Sequence, residues 1–131
     1  MTQENKDLLL RDLCARLPYK TKIQLTEYSD LTGEKLPSKI KTLDYCMLGK
    51  AQAYCKGFRK DEIKPYLFPL SSMTEEQSME FALLQVNTHK DGFLYVCDCA
   101  NMMKWLLKNH FDIYGLIEKG LAINATNLEI Y

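Results

Sequence analysis

Leu9, Leu10, Leu13 and Leu17 recur at three- and four-residue steps, while Lys6, Arg11, Asp12 and Arg16 fall mostly between them. That spacing gathers the leucines on one face of a helix over residues 3–17. Thr2 is placed to cap it, and Pro18, which cannot continue a helix, stops it. Lys22-Ile23-Gln24-Leu25-Thr26-Glu27-Tyr28 then alternates apolar and polar positions, the period of a half-buried strand. Ser29-Asp30 and Thr32-Gly33-Glu34 are turn chemistry, and Lys39-Ile40-Lys41-Thr42-Leu43-Asp44-Tyr45 resumes the alternation as a second strand. Gly49-Lys50 reads as a turn into a third extended stretch, Ala51–Phe58, where Gly57 marks a bulge or strand end. Glu62–Leu70 is the fourth strand, which Pro65 and Pro69 confine to an edge or to the exit of the sheet.

Between Ile63 and Gln77 the chain changes character. Pro65 and Pro69 hold their predecessors extended. Ser72 or Thr74 can then accept the first free N–H groups of a helix, with Glu75 or Gln77 reaching back three residues on. The helix predicted over Thr74–Val86 places Met79, Leu83 and Val86 on one face, with Phe81 and Leu84 nearby. Asn87–Gly92 is a loop, and Phe93–Val96 is too short and uniformly apolar to assign. Asp98 is placed to cap a helix over Ala100–Asn109, and Asp112 to cap a short last one ending at Gly120. Leu128–Tyr131 either pairs as an edge strand or lies loose. The pattern predicts an α+β fold of one domain, residues 1–131. It has an N-terminal helix, a four-stranded and mostly antiparallel meander, flat or curled into an SH3-like roll, and two or three C-terminal helices.

Composition narrows the class. A chain of 131 residues, 47% hydrophobic and 26% charged, has globular proportions. No apolar run approaches the roughly 18 residues needed to span a bilayer, and the polar first residues are not a signal peptide. The expectation is a soluble, cytoplasmic protein without membrane partners. Five cysteines at irregular spacing suit reduced thiols. Net charge is zero but uneven. Residues 1–68 hold 13 Lys and Arg against 9 Asp and Glu, and residues 69–131 hold 4 against 8. The sequence therefore reads as a β-rich, basic half (1–70) and a helical, acidic half (71–131).

Three constellations carry candidate chemistry. Cys97-Asp98-Cys99 is closer-spaced than a zinc knuckle and lacks a second Cys/His pair at ligand spacing. His89 and His110 are the only histidines able to complete a metal set or activate a thiol. Two thiols at a helix start, and a histidine cation favoured at a helix C-terminus, account for these residues structurally, so no metal, cofactor or catalytic residue is assigned. Lys39, Lys41, Tyr45, Lys50, Tyr54, Lys56, Arg59, Lys60 and Lys64 would form a basic, aromatic β-face able to track phosphates and stack bases; the plainer reading is lysines guarding exposed strand edges. Tyr19, Tyr66, Met102, Trp105 and Tyr114 are amphipathic or adaptable side chains that suit either a core or a protein interface.

Leu9–Tyr19, Ile63–Thr74 and Phe111–Ala122 together resemble a family of small uncharacterised proteins of gut anaerobic bacteria and their phages or mobile elements. The resemblance implies a cytoplasmic accessory protein, of phage or mobile-element origin, and brings no activity or catalytic residue with it. Residues 20–60 take no part in it. The function expected is a non-enzymatic protein-binding or regulatory module, with self-association included; the alternative is a nucleic-acid-binding accessory protein using the basic β-face.

Overall fold

The computed structural model describes residues 1–58, 60–88 and 96–131, with side chains for all of these except 85–88 and 96–99. Helix α1 (Gln3–Arg16) begins where Thr2 Oγ1 accepts the Asn5 N–H at 3.1 Å. It gives way at Leu17 to a 3-10 turn that contains Pro18. Strands β1 (Lys22–Thr26) and β2 (Lys39–Thr42) form an antiparallel hairpin with Ile23 opposite Lys41 and Leu25 opposite Lys39.

Helix α2 (Tyr45–Cys55) follows, and it corrects the sequence expectation of a third strand over Ala51–Phe58. Asp44 Oδ1 accepts the Met47 N–H at 2.8 Å and caps the helix. Gly49, read as a turn, lies inside it. Ala51 and Cys55, four residues apart and both buried, are the face it turns to the core. Gly57, at φ +79°, ends it: its N–H donates to the Tyr54 carbonyl and the Phe58 N–H to the Ala53 carbonyl. That is the double closure for which a left-handed glycine suits a helix end. The basic half is therefore not simply β-rich.

Strand β3 (Glu62–Leu67) returns antiparallel to β1 on the side away from β2, with Leu25 opposite Ile63 and Ile23 opposite Pro65. Helices α3 (Glu75–Thr88) and α4 (Val96–Lys108) come next, and then β4 (Ile123–Asn124), which pairs parallel to Tyr66 and Leu67. The sheet order is β2-β1-β3-β4, with β2 and β4 as its edges. The α+β class, the N-terminal helix and two helices after the sheet match expectation; the meander and the roll do not. A meander requires each strand to pair with the next in sequence, and α2 instead carries the chain across to the far side of β1. Pro65 sits in an inner strand, yet β4 pairs only with Tyr66 and Leu67, so the proline flank behaves as an edge.

The core lies on one sheet face, where Ile23, Leu25, Ile63 and Leu67 meet Leu9 and Leu13 of α1 and Ala51 and Cys55 of α2. Leu116, Leu121 and Ala122 close it from the C-terminal side. Residues 112–119 form turns rather than the expected helix, because Gly115 takes φ +69° in the middle of them. Asp112 still organises the segment by accepting the Leu116 and Ile117 N–H groups at 2.9 and 3.0 Å. The expected Asp98 cap falls inside α4, which starts at Val96, and the unassigned stretch 93–95 lies outside the described residues.

Candidate functional site

Asp12 and Arg16 stand on the same side of α1 as Leu9 and Leu13, and both are completely buried. Arg16 Nε donates to Asp12 Oδ2 at 2.7 Å, and Nη2 donates to the Phe111 carbonyl. Burial pushes the Asp12 carboxyl above its ordinary range, against the pull of the neighbouring guanidinium. The Phe68 N–H donates to the His110 carbonyl and the Asp112 N–H to the Phe68 carbonyl, both at 2.8 Å. Three distant segments thus meet at one junction: α1, the exit of β3 and the 110–117 turns.

His110 closes α4. It takes φ +63°, and the His110 and Phe111 N–H groups donate to the Leu107 and Leu106 carbonyls, the closure that Gly57 makes for α2. Its ring stacks on Tyr131 at 3.8 Å, and its Nδ1 lies 3.4 Å from Thr21 Oγ1. Burial, helped by Arg16, lowers its pKa to about 4, so at neutral pH it is an uncharged ring rather than a cation on the helix dipole. The Tyr131 hydroxyl accepts the Lys22 N–H at 2.8 Å and donates to the Tyr66 carbonyl at 2.7 Å. Extending the register by one step sets Lys22 opposite Tyr66, so this hydroxyl bridges the end of the β1–β3 ladder. Leu128–Tyr131 is accordingly neither a strand nor loose.

Helices α3 and α4 are held to this body by rings. Phe81 stacks on Trp105 at 5.4 Å, Trp105 on Phe111 at 5.7 Å, and Phe111 meets Phe68 at 6.4 Å. Trp105 Nε1 donates to Glu80 Oε2 at 3.1 Å. Thr74 and Gln77 form a reciprocal cap at the start of α3: Thr74 Oγ1 accepts the Gln77 N–H, and Gln77 Oε1 accepts the Thr74 N–H. With Gln77, Phe81 and Leu84 half-buried on its inner side, α3 turns Met79 and Leu83 outward, 68% and 64% exposed. The sequence pattern places these two on one face with Val86, and the structure turns the pair to solvent. Three glutamates, Glu75, Glu76 and Glu80, share the helix, which carries no cation.

The residues of the expected basic β-face do not share a face. Lys39 and Lys41 lie on β2, on the sheet side of Ile23 and Leu25, while Lys64 pairs with Gln24 on the opposite side. Tyr45, Lys50, Tyr54 and Lys56 belong to α2 or its cap, Lys50 lies 3.8 Å from Glu27, and Lys60 lies in the loop before β3. Arg59 lies outside the described residues. The helix α2 explains the scatter, since a strand period was used to align residues that follow a helical one.

Of the interface candidates, Tyr66 is buried at 5% exposure and unavailable to a partner. Tyr19, Met102, Trp105 and Tyr114 are half-buried, and Trp105 is committed to the ring stack. His89 and the side chains of Cys97 and Cys99 lie outside the described residues. Cys14 and Cys46 are exposed, and Cys55 is a buried thiol whose pKa burial pushes up. Among the described residues no group of three or more His, Cys, Asp or Glu side chains is placed to hold a metal, and no helix is long and apolar enough to cross a membrane. An open cleft of about 520 Å³ separates the hairpin tip from the turn after α2, between Tyr28, Asp30, Gly33, Phe58, Lys60 and Asp61.

Sequence reasoning missed both features that matter most here. Asp12 and Arg16 follow Leu9 by three and seven residues, which is the spacing of its own buried face. The charge of these residues obscured that signal. The exposure of Met79 and Leu83 had a weaker signal: apolar residues surround α3, so periodicity could not choose which side faces inward. No protein-family model matches the chain, and no curated protein or solved structure is significantly similar to it.

Proposed function

We propose that the protein is a non-enzymatic protein-binding module whose recognition element is the outer side of α3. The observation that carries this reading is the exposure of Met79 and Leu83, one turn apart, on a helix already anchored by its other side. The fold does not use these side chains, and exposing them to water is unfavourable by about 25 cal/mol per Å² of apolar surface. An exposed apolar ridge beside acidic residues suits a protein surface as partner. The nucleic-acid alternative loses its geometric premise, since its cations are spread over both sheet faces and a helix.

Affinity capture with wild-type protein and a Met79→Ser, Leu83→Ser variant tests the reading. A partner retained by the first and lost by the second, with both baits equally folded by circular dichroism, supports it. Identical capture profiles, with no self-association that the variant loses, overturn it.

A further inference from the structure

We infer that the occupant of the α3 surface is a second copy of this chain, which docks its β2 edge there in a head-to-tail contact. This deepens the protein-binding reading and rests on it. The outer side of α3 has two parts. At about 3.6 residues per turn, Met79, Ala82 and Leu83 form an apolar ridge, and Glu76 and Glu80 flank it on one side. The complementary surface is one of strong positive balance with an apolar residue at its centre. It is β2, which is exposed along its whole length and carries Lys39 and Lys41 on either side of Ile40 with no acidic residue.

The arrangement on β2 is the counterpart of that on α3. Ile40, 54% exposed, lies opposite Gln24 on one side of the sheet. Lys39 and Lys41 project to the other side, as successive residues of a strand do. An element laid along the edge therefore meets an apolar residue on one flank and two cations on the other. Spacing agrees as well. Glu76 and Glu80 are about 6 Å apart along α3 at about 1.5 Å per residue; Lys39 and Lys41 are about 6.6 Å apart at about 3.3 Å per residue. Glu80 shares one carboxylate oxygen with Trp105, which holds its side chain in place for the contact.

The two surfaces are different patches of the same chain, so the contact is heterologous: each copy offers α3 to one neighbour and β2 to another. One helix on one strand buries less than the roughly 1,200 Å² of a stable standard interface. The association is therefore weak and has to be sought near millimolar protein. Its charged half makes it salt-sensitive, since the Debye length shrinks from about 30 Å at 0.01 M to about 8 Å at 0.15 M salt.

Sedimentation velocity at about 1 mM protein, in both salts, reads the proposal out against that weak class. Wild type is expected to form species beyond the monomer that shrink at the higher salt. Two variants each lose one surface: Glu76→Lys with Leu83→Lys, and Lys39→Glu with Lys41→Glu. All four positions are exposed, so both variants keep the wild-type circular dichroism, with a melting temperature lowered only slightly by the loss of Glu76 from the acidic first turn of α3. Each alone is expected to be monomeric, because like charges across a contact weaken it more than about tenfold. Mixed together, the intact β2 edge of the first meets the intact α3 of the second, and dimers and larger species reappear.

A monomeric wild type at low salt, or a mixture that yields no dimer, overturns the self-docking proposal. The broader reading is separated from it by capture with the same α3 variant: a distinct partner that wild type holds and this variant loses leaves α3 an interface with a different occupant. Equal capture together with a wild type that stays monomeric at low salt ends both.

Discussion

The junction around Arg16 and the outer side of α3 put similar material to opposite use. In the first, two charged side chains are taken wholly out of water and tied to each other, to the Phe111 carbonyl and, through Phe68, to the exit of the sheet. In the second, two large apolar side chains are left in water on a helix whose anchoring is complete without them. Burying an ion pair costs more desolvation than its attraction returns unless the remaining bonds are made. Arg16 Nη2 makes one to the Phe111 carbonyl, while Asp12 Oδ1 and Arg16 Nη1 are buried without a hydrogen-bond partner among the described residues. The α3 surface contributes nothing comparable to the fold. The comparison teaches where to look for function: at the residues that the fold can do without.

Removing half of the ion pair breaks the comparison most directly. Arg16→Ala leaves Asp12 buried beside an unpaired Phe111 carbonyl, and urea unfolding should register a loss of about 3–5 kcal/mol. The apolar pair Asp12→Leu with Arg16→Met should lose much less; an equal loss would mean that the charges themselves, rather than their mutual satisfaction, hold the junction. Trp105→Ala removes the ring between Phe81 and Phe111. A loss of about 2–3 kcal/mol, below that of a fully buried ring, is expected. Hydrogen exchange should show α3 amides opening while those of β1 and β3 stay protected, because the stack is what joins the helices to the sheet.

Smaller effects sharpen the picture at the same junction. Tyr131→Phe deprives Lys22 N–H and Tyr66 C=O of their bridge and should cost about 1 kcal/mol. Burial raises the tyrosine pKa from 10.0 to about 12. The unfolded chain therefore releases this proton first, and stability falls as pH rises from 10 towards 12, a slope the phenylalanine variant lacks. On the acid side the sign reverses. His110 has its pKa lowered from 6.5 to about 4, so the unfolded state takes up the proton first. Stability from this group is complete above 6.5 and is lost as pH falls towards 4; His110→Asn, which tolerates the left-handed backbone, should flatten that slope in thermal melts. The smallest stability effect belongs to the other region. Met79→Ser with Leu83→Ser should shift unfolding by no more than about 0.5 kcal/mol; a larger loss would mean that the ridge serves the fold after all.

Much of the fold was legible because it rests on local chemistry. The Thr2 cap, the stop at Pro18, the alternation at Lys22–Thr26 and the Thr74–Gln77 cap each involve residues within a few positions of one another. The stretch 45–55 was misread because alternation with tyrosines resembles a strand. The Asp44 cap and the left-handed Gly57 mark its helix, and both signals lie at its ends rather than in its period. Of the candidate site residues, the basic set failed as a face once that helix replaced a strand.

What the sequence determined by itself was the α+β class, three of the four strands' general positions among its strand-like stretches, and the capped starts of α1 and α3. Caps and periods act over a single turn or a strand's width, so no distant partner is needed to express them. Tertiary structure decided the rest. It set β3 on the far side of β1, recruited Ile123 and Asn124 as the parallel edge, buried Arg16 and exposed Met79. Each of these depends on which surfaces meet across long separations in the chain. Arg16 is buried where Asp12 and the distant Phe111 carbonyl receive its N–H groups, and Met79 and Leu83 are exposed where Gln77, Phe81 and Leu84 already occupy the inner side of α3.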